Sequence, residues 1–369
     1  MSVQVFTGRN PEDGMPIQLT VADGLVQSIE TGQRGDEGQH DDEAWLSAGL
    51  IDLQVNGFGG EDLNADSVDP NTVVRLTRKI VAAGVTTYLP TIITASEEKI
   101  VKALRAIAEA RRGDGLVAQT VHSVHVEGPH ISPEDGARGA HPREYARPPS
   151  LAEFDRWQNA CGGMVGMVTM SPHYENSAAY VAGLVSRGVH VAIGHTAADS
   201  QQIRAAVDAG ARLSTHLGNG IAGELPRHPN PLWTQMADDR LTATLIADGH
   251  HLPADTFKVM VRAKGLHRSI LVSDAVALAG MPAGTYDAPV GGRVELHEGG
   301  RLNVAGTNVL AGAALALKDA IPRAMSMGGL SLADALRMAT ENPGRFAGGG
   351  GLLRVGEPAN LIRFTIKGD

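Results

Sequence analysis

The stretch VHSVHVEGPH, residues 121–130, decides the fold: a β-branched, apolar run ends in Glu127, and the chain then turns at Gly128 and Pro129. A buried parallel strand that ends this way hands a carboxylate to the mouth of an α/β barrel. Left unpaired at the rim of a packed core, that carboxylate would carry a desolvation penalty of about a few kcal/mol or more. A cation or a strong donor set must therefore face it.

Seven more runs of the same character lie on either side: AGLIDLQV (48–55), VTTYLPT (85–91), VGMVTMS (165–171), VHVAIGH (189–195), ARLSTH (211–216), LTATLIAD (241–248) and SILVSDA (269–275). Helical patterns separate them. Val73, Val74, Leu76, Ile80 and Val81 form a 3.6-period stripe closing at Gly84, and Ile203 with Val207 forms another closing at Gly210. Eight βα units predict a closed (β/α)8 TIM-type barrel, with an open doubly wound sheet as the competing arrangement. The 369 residues exceed the roughly 250 of a typical barrel. The surplus sits at the ends, where Ile17–Val21, Asp23-Gly24 and Leu25–Ile29 read as a hairpin and GLLRVGEPANLIRF as turn and strand. These ends predict a small β-sandwich domain built from both termini, residues 1–48 and 346–369, flanking a barrel over 49–345. The polar, glycine-rich stretch Gln33–Glu43 reads as a loop.

A net charge of −9 argues against a nucleic-acid or anionic-membrane partner, so an anionic substrate needs a local Arg or Lys. The single cysteine, Cys161, cannot form an internal disulfide, which suits a reducing compartment. With no secretory pattern at the start and no 18-residue apolar run, a cytoplasmic location is expected.

Barrel enzymes carry their chemistry at the C-terminal ends of the strands. By that rule strand one offers Asp52, Gln54 and Asn56, strand three Glu127, strand five His195, and strand six His216. Strand seven adds Asp248, His250 and His251, and strand eight adds Asp274. Glu127, His195 and His216 are one oxygen and two imidazoles, the ligand set of a catalytic zinc site with an open position. Asp274 has the place of a general base, able to take a proton from an activated water and return it to a leaving amine. His122 and His125, earlier on strand three, read as structural residues facing a helix or the barrel wall; His130 follows the turn.

The succession GLIDLQVNG, HVEGP, GHT, THLGNG, IADGHH and LVSDA, with ATENP and GEPANL later, resembles the amidohydrolase superfamily and, within it, the N-acetylglucosamine-6-phosphate deacetylase family. The resemblance runs from about Gly49 to Phe364. It implies one divalent metal ion per chain, most often Zn2+, held by Glu127, His195 and His216, with Asp274 as general acid and base. It further implies that His141 helps polarise the acetyl carbonyl, and that His251, Asn219 and Gly220 contact the small-molecule amino-sugar phosphate. Arg227 would reach the phosphate of a neighbouring subunit in a homodimer.

The chain departs from the wider superfamily in places. Gln54 and Asn56 stand where many members carry a His-x-His for a second metal, and neutral amides bind zinc poorly, so a one-metal site follows. VGMVTMSP holds no lysine, which excludes a bridging modified lysine. Gly218 and the segment His228–Pro231 are unusual where substrate is read. The expected activity is hydrolysis of the acetamide of N-acetylglucosamine 6-phosphate. The alternative is another deacylase of the same superfamily, for instance on N-acetylgalactosamine 6-phosphate, and a non-catalytic binding protein is the rival from another class.

Overall fold

The computed structural model describes residues 3–32, 44–288 and 292–366. The expected loop Gln33–Glu43 lies outside the described residues. Strands β1 (Val3–Arg9), β2 (Pro16–Ala22) and β3 (Leu25–Thr31) form an antiparallel meander. The Asp23-Gly24 turn joins the last two with both residues in the left-handed region, φ 53° and 76°. Strand β4 (Trp45–Ala48) lies beside β1, and the chain enters the barrel with β5 (Leu50–Val55).

A short hairpin follows, β6 (Gly57–Phe58) against β7 (Glu61–Asp62). Helix α1 (Pro70–Ala82) has Asp69 as N-cap and Pro70 in its first turn, and it buries Val73, Leu76 and Ile80, the stripe read from the sequence. Then come β8 (Val85–Ile93), α2 (Glu97–Gly113), α3 (Gly115–Thr120), β9 (Val124–Glu127), α4 (Leu151–Cys161) and β10 (Val165–Met170). The alternation goes on through α5 (Ser177–Val185), β11 (His190–Ile193), α6 (Ser200–Asp208), β12 (Leu213–Ser214), α7 (Pro231–Ala237), β13 (Thr242–Ile246), α8 (Ala254–Lys264) and β14 (Ser269–Val272).

Strands β5 and β8 to β14 form one parallel sheet in sequence order. Its first and last strands meet through a Val55–Ala275 bridge and the bond from Asn56 N–H to the Ala275 carbonyl, 2.8 Å. The ring is thus closed at the C-terminal end of the strands, and the doubly wound alternative falls. Ile51, Leu53, Leu89, Met167, Leu213 and Ile270 fill the interior, while a larger apolar layer lies between strands and helices. No helix of the described residues is long and apolar enough to cross a membrane.

After β14 the chain makes an excursion that the sequence did not announce, a three-stranded antiparallel sheet of β15 (Gly284–Ala288), β16 (Gly292–Leu296) and β17 (Leu302–Val304). Helices α9 (Leu317–Gly328), α10 (Leu332–Ala339) and α11 (Glu341–Gly344) complete the outer layer, and β18 (Leu361–Phe364) returns to pair antiparallel with β4. The terminal sheet, β18-β4-β1-β2-β3, is therefore built from both ends of the chain, over a small core of Leu19, Val26 and Leu46.

Candidate metal centre and active site

Strand β9 sorts its residues by the two-residue period of a strand. Val124 and Val126 pack toward the helices, while His125 and Glu127 point into the barrel. His125 faces inward rather than toward a helix: one ring nitrogen lies 3.1 Å from the Leu53 carbonyl and the other 2.7 Å from Thr169 Oγ1, whose hydroxyl meets Thr215 Oγ1 at 2.7 Å. This polar layer carries Glu127, which is 2% exposed, at the floor of the mouth. His122 precedes the strand, because the chain leaves α3 at Val121 and enters β9 only at Val124.

Three side chains converge on one carboxylate oxygen. Glu127 Oε1 lies 2.9 Å from His216 Nε2, 3.3 Å from His195 Nε2 and 2.9 Å from the donating amide of Gln54. The two Nε2 atoms are 3.1 Å apart. His195 Nδ1 faces the Ala137 carbonyl at 3.0 Å and donates to it, so that Nε2 is the ring nitrogen turned toward Glu127 and available to a cation placed there. Two imidazole nitrogens and a carboxylate aimed at one point, with the ring tautomer set from behind, fit a divalent cation of the zinc type. Burial works against the Glu127 charge, but its bonds to His195 and His216 outweigh that and hold the carboxyl well below the usual range.

His195, His216 and Asp274 each stand two residues beyond a strand end, and each has a left-handed backbone, φ 47°, 30° and 48°. Non-glycine residues pay roughly 1–2 kcal/mol for that conformation, which persists where the surroundings over-determine it. Asp274 receives the Asn56 amide at 2.8 Å. Burial, and then the nearby Glu127 charge, push its carboxyl up to about 6. A carboxyl there can both accept and return a proton near neutral pH.

His141, in the loop after β9, reaches the other side of the carboxylate. Its Nε2 is 3.8 Å from Glu127 Oε2, its Nδ1 is 2.8 Å from Thr94 Oγ1, and its ring lies 4.2 Å from that of His195. Among the described residues Glu127, His141 and His195 each offer a ligand atom within 4.8 Å of the others. Burial, and then the charge of His195, lower the His141 ring to about 3, so it is neutral at ordinary pH.

These groups open into a cavity of about 640 Å³. Asn219, Gly220 and His251 line it, as do Asn56, Asp274 and an apolar wall of Val276, Leu278, Leu302 and Leu310 supplied by the excursion after β14. Arg227 is exposed and does not line the cavity of its own chain. His130 does not line it either, and packs instead between Trp157 and Tyr180. The orienting roles of Gln54, Asn56 and Thr94 were not read from the sequence, although their place at strand ends was the available signal.

Residues 45–368 match the amidohydrolase family. An N-acetylgalactosamine-6-phosphate deacetylase of Escherichia coli O157:H7 is 34% identical over 349 residues, 94% of this chain and 89% of that protein. An N-acetylglucosamine-6-phosphate deacetylase of Bacillus subtilis is 29% identical over 93% of this chain and 87% of its own. Among solved structures, an N-acetyl-D-glucosamine-6-phosphate deacetylase variant of Mycobacterium smegmatis in complex with N-acetyl-D-glucosamine-6-phosphate superimposes with a TM-score of 0.88 at 29% identity, covering 99% of this chain and 96% of that one.

Proposed function

The chain belongs to the amidohydrolase family, and from that premise we propose that it hydrolyses the acetamide of N-acetylglucosamine 6-phosphate to glucosamine 6-phosphate and acetate. The observation that carries this is the meeting of Glu127, His195 and His216 within 3.3 Å on one carboxylate oxygen, in a cavity that Asp274 and His251 also line. We assign Glu127, His195 and His216 as ligands of one divalent ion, Zn2+ by donor type. When bound, that ion would supply Lewis acidity to the carbonyl and to water.

The chain's own residues do the rest. Asp274, held by Asn56, takes the proton of the attacking water and delivers it to the leaving amine nitrogen. His141 donates to the carbonyl oxygen as charge develops there. Asn219, Gly220 and His251 hold the sugar phosphate. Arg227 reaches the phosphate from a second copy, so that a cytoplasmic homodimer is the working unit. In this reading residues 49–345 form the catalytic domain, and residues 1–48 with 346–369 the small β domain.

The Escherichia coli relative supports a second reading, with N-acetylgalactosamine 6-phosphate as substrate. The deciding experiment measures amine and acetate release by zinc-loaded protein from both sugar phosphates and from unphosphorylated N-acetylglucosamine. Preference for the gluco epimer, with Asp274→Asn keeping metal but losing turnover by orders of magnitude, supports the first reading. Preference for the galacto epimer selects the second, and near-normal turnover by Asp274→Asn sinks the mechanism.

A further inference from the structure

Beyond β13 the carboxylate of Asp248 is divided between two tasks. One oxygen accepts the backbone N–H groups of His250 and His251, at 2.7 and 2.8 Å. The other accepts Nδ1–H of His251 at 2.6 Å. Capping this turn needs one oxygen, so the second is available to orient the ring. Asp248 is 3% exposed, whereas His251 opens onto the cavity that holds Asp274. The loop is also tied from behind: Arg323 of α9 donates to the Asp248 carbonyl and, over 2.9 Å, to that of Gly299.

A carboxylate can only accept, so Nδ1 of His251 is fixed as a donor and Nε2 is the ring nitrogen left for the cavity. We propose that Asp248 is the positioning residue that makes His251 an anion-binding group: the carboxylate holds Nδ1–H, and in the substrate complex the doubly protonated ring, an imidazolium between two anions, presents Nε2–H to a phosphate oxygen. Asp62, Asp66, Glu98, Glu127 and Asp274 are the carboxylates that line the same cavity, and Lys99 and Lys102 its ammonium groups; among the described residues the ring's hydrogen bond is to Asp248. Burial of Asp248 works against its charge, yet the bond from His251 holds its carboxyl below the ordinary value. The inference rests on the proposed function, in which His251 contacts the sugar phosphate.

The test uses full-length, metal-loaded wild type, Asp248→Asn, His251→Gln and the double variant. In Asp248→Asn the ring loses the anion that faces Nδ1–H. KM for the phosphorylated sugar should rise about tenfold, with kcat within about threefold, because a ring without its anionic partner is held less firmly in the orientation and charge that suit a phosphate oxygen. KM for the unphosphorylated sugar should not move, and competitive inhibition by inorganic phosphate should weaken in parallel. In the His251→Gln background the same change should add less than about twofold. An equal effect in that background would show Asp248 to be a turn cap alone and overturn the inference. So would an unchanged KM in Asp248→Asn. If Asp248→Asn does not fold, Asp248→Ser keeps an oxygen for the turn and leaves the ring unpartnered, with the same expected outcomes. If wild type turns over neither sugar phosphate, the functional reading fails, and calorimetry with inorganic phosphate still decides: tighter binding by wild type than by Asp248→Asn upholds the inference, and equal affinity overturns it.

Discussion

The side-chain amide of Asn56 donates to Asp274 Oδ1 over 2.8 Å, across the seam where the first barrel strand meets the end of the last. Closure of the barrel and orientation of the proposed base are thus one structural event. Asn56→Ala should lower kcat by about 10- to 100-fold, the range expected when a buried carboxylate loses a side-chain donor. Metal content should stay near one ion per chain. Asn56→Asp should be worse, since a second carboxylate there would raise Asp274 further and oppose its ionisation. Turnover and metal analysis of the two variants check this, and a better Asp than Ala variant would contradict it.

Gly220 has φ +60°, and a Cβ on it would lie 2.7 Å from Nδ1 of His195. That nitrogen already donates to Ala137, so the ring cannot swing aside without giving up the bond that sets its tautomer. Gly220→Ala should weaken metal affinity by about 10- to 100-fold, as loss of an outer orienting contact does. Competition titration with a chromophoric chelator measures it, and wild-type affinity would show that His195 has more freedom than its packing suggests.

Which residues meet at the barrel mouth was more legible in the sequence than the geometry in which they meet. Glu127, His195, His216 and Asp274 were legible because strand ends in a barrel are where polar residues have no structural excuse. Their left-handed backbones were not, since nothing in a histidine or an aspartate announces φ of 30° to 48°. Gln54 and Asn56 stood out as replacements for metal-binding histidines, but their partners, Glu127 and Asp274, lie 73 and 218 residues away. The sheet at Gly284–Val304 escaped because its strands are short and it borrows part of its apolar face from Ala275 and Ala279, outside itself. The histidines shared a residue type but not a role: His125 bridges the barrel interior, His130 packs under helices, and only neighbours distant in sequence separate them from His195.

His141 sits where either of two roles is open to it, ligand or carbonyl polariser, at 3.8 Å from Glu127 Oε2. The assignment made above predicts that His141→Asn keeps one zinc per chain while kcat falls by about 100-fold or more, the loss that follows removal of an oxyanion donor. Loss of metal in parallel with activity would instead place His141 among the ligands and return Glu127, His195 and His216 to a shared role. Inductively coupled plasma analysis beside steady-state kinetics separates the two.

Asp52 is buried on the first barrel strand, accepting the N–H groups of Ser273 and Gln54 at 3.2 and 3.3 Å. Burial raises its carboxyl to about 7 against an ordinary 3.8. Below the ordinary value both folded and unfolded chains are protonated. As pH rises toward 7 the unfolded chain gives up its proton while the folded one resists, so this group's contribution to stability is lost across that interval. Asn at position 52 can accept the same two N–H groups and has no proton to lose. Asp52→Asn should therefore gain melting temperature relative to wild type, by about a few degrees, between about pH 4.5 and pH 7.5. Melting curves that run parallel across that range would mean that the folded chain holds Asp52 as a carboxylate throughout, with its two N–H donors outweighing burial.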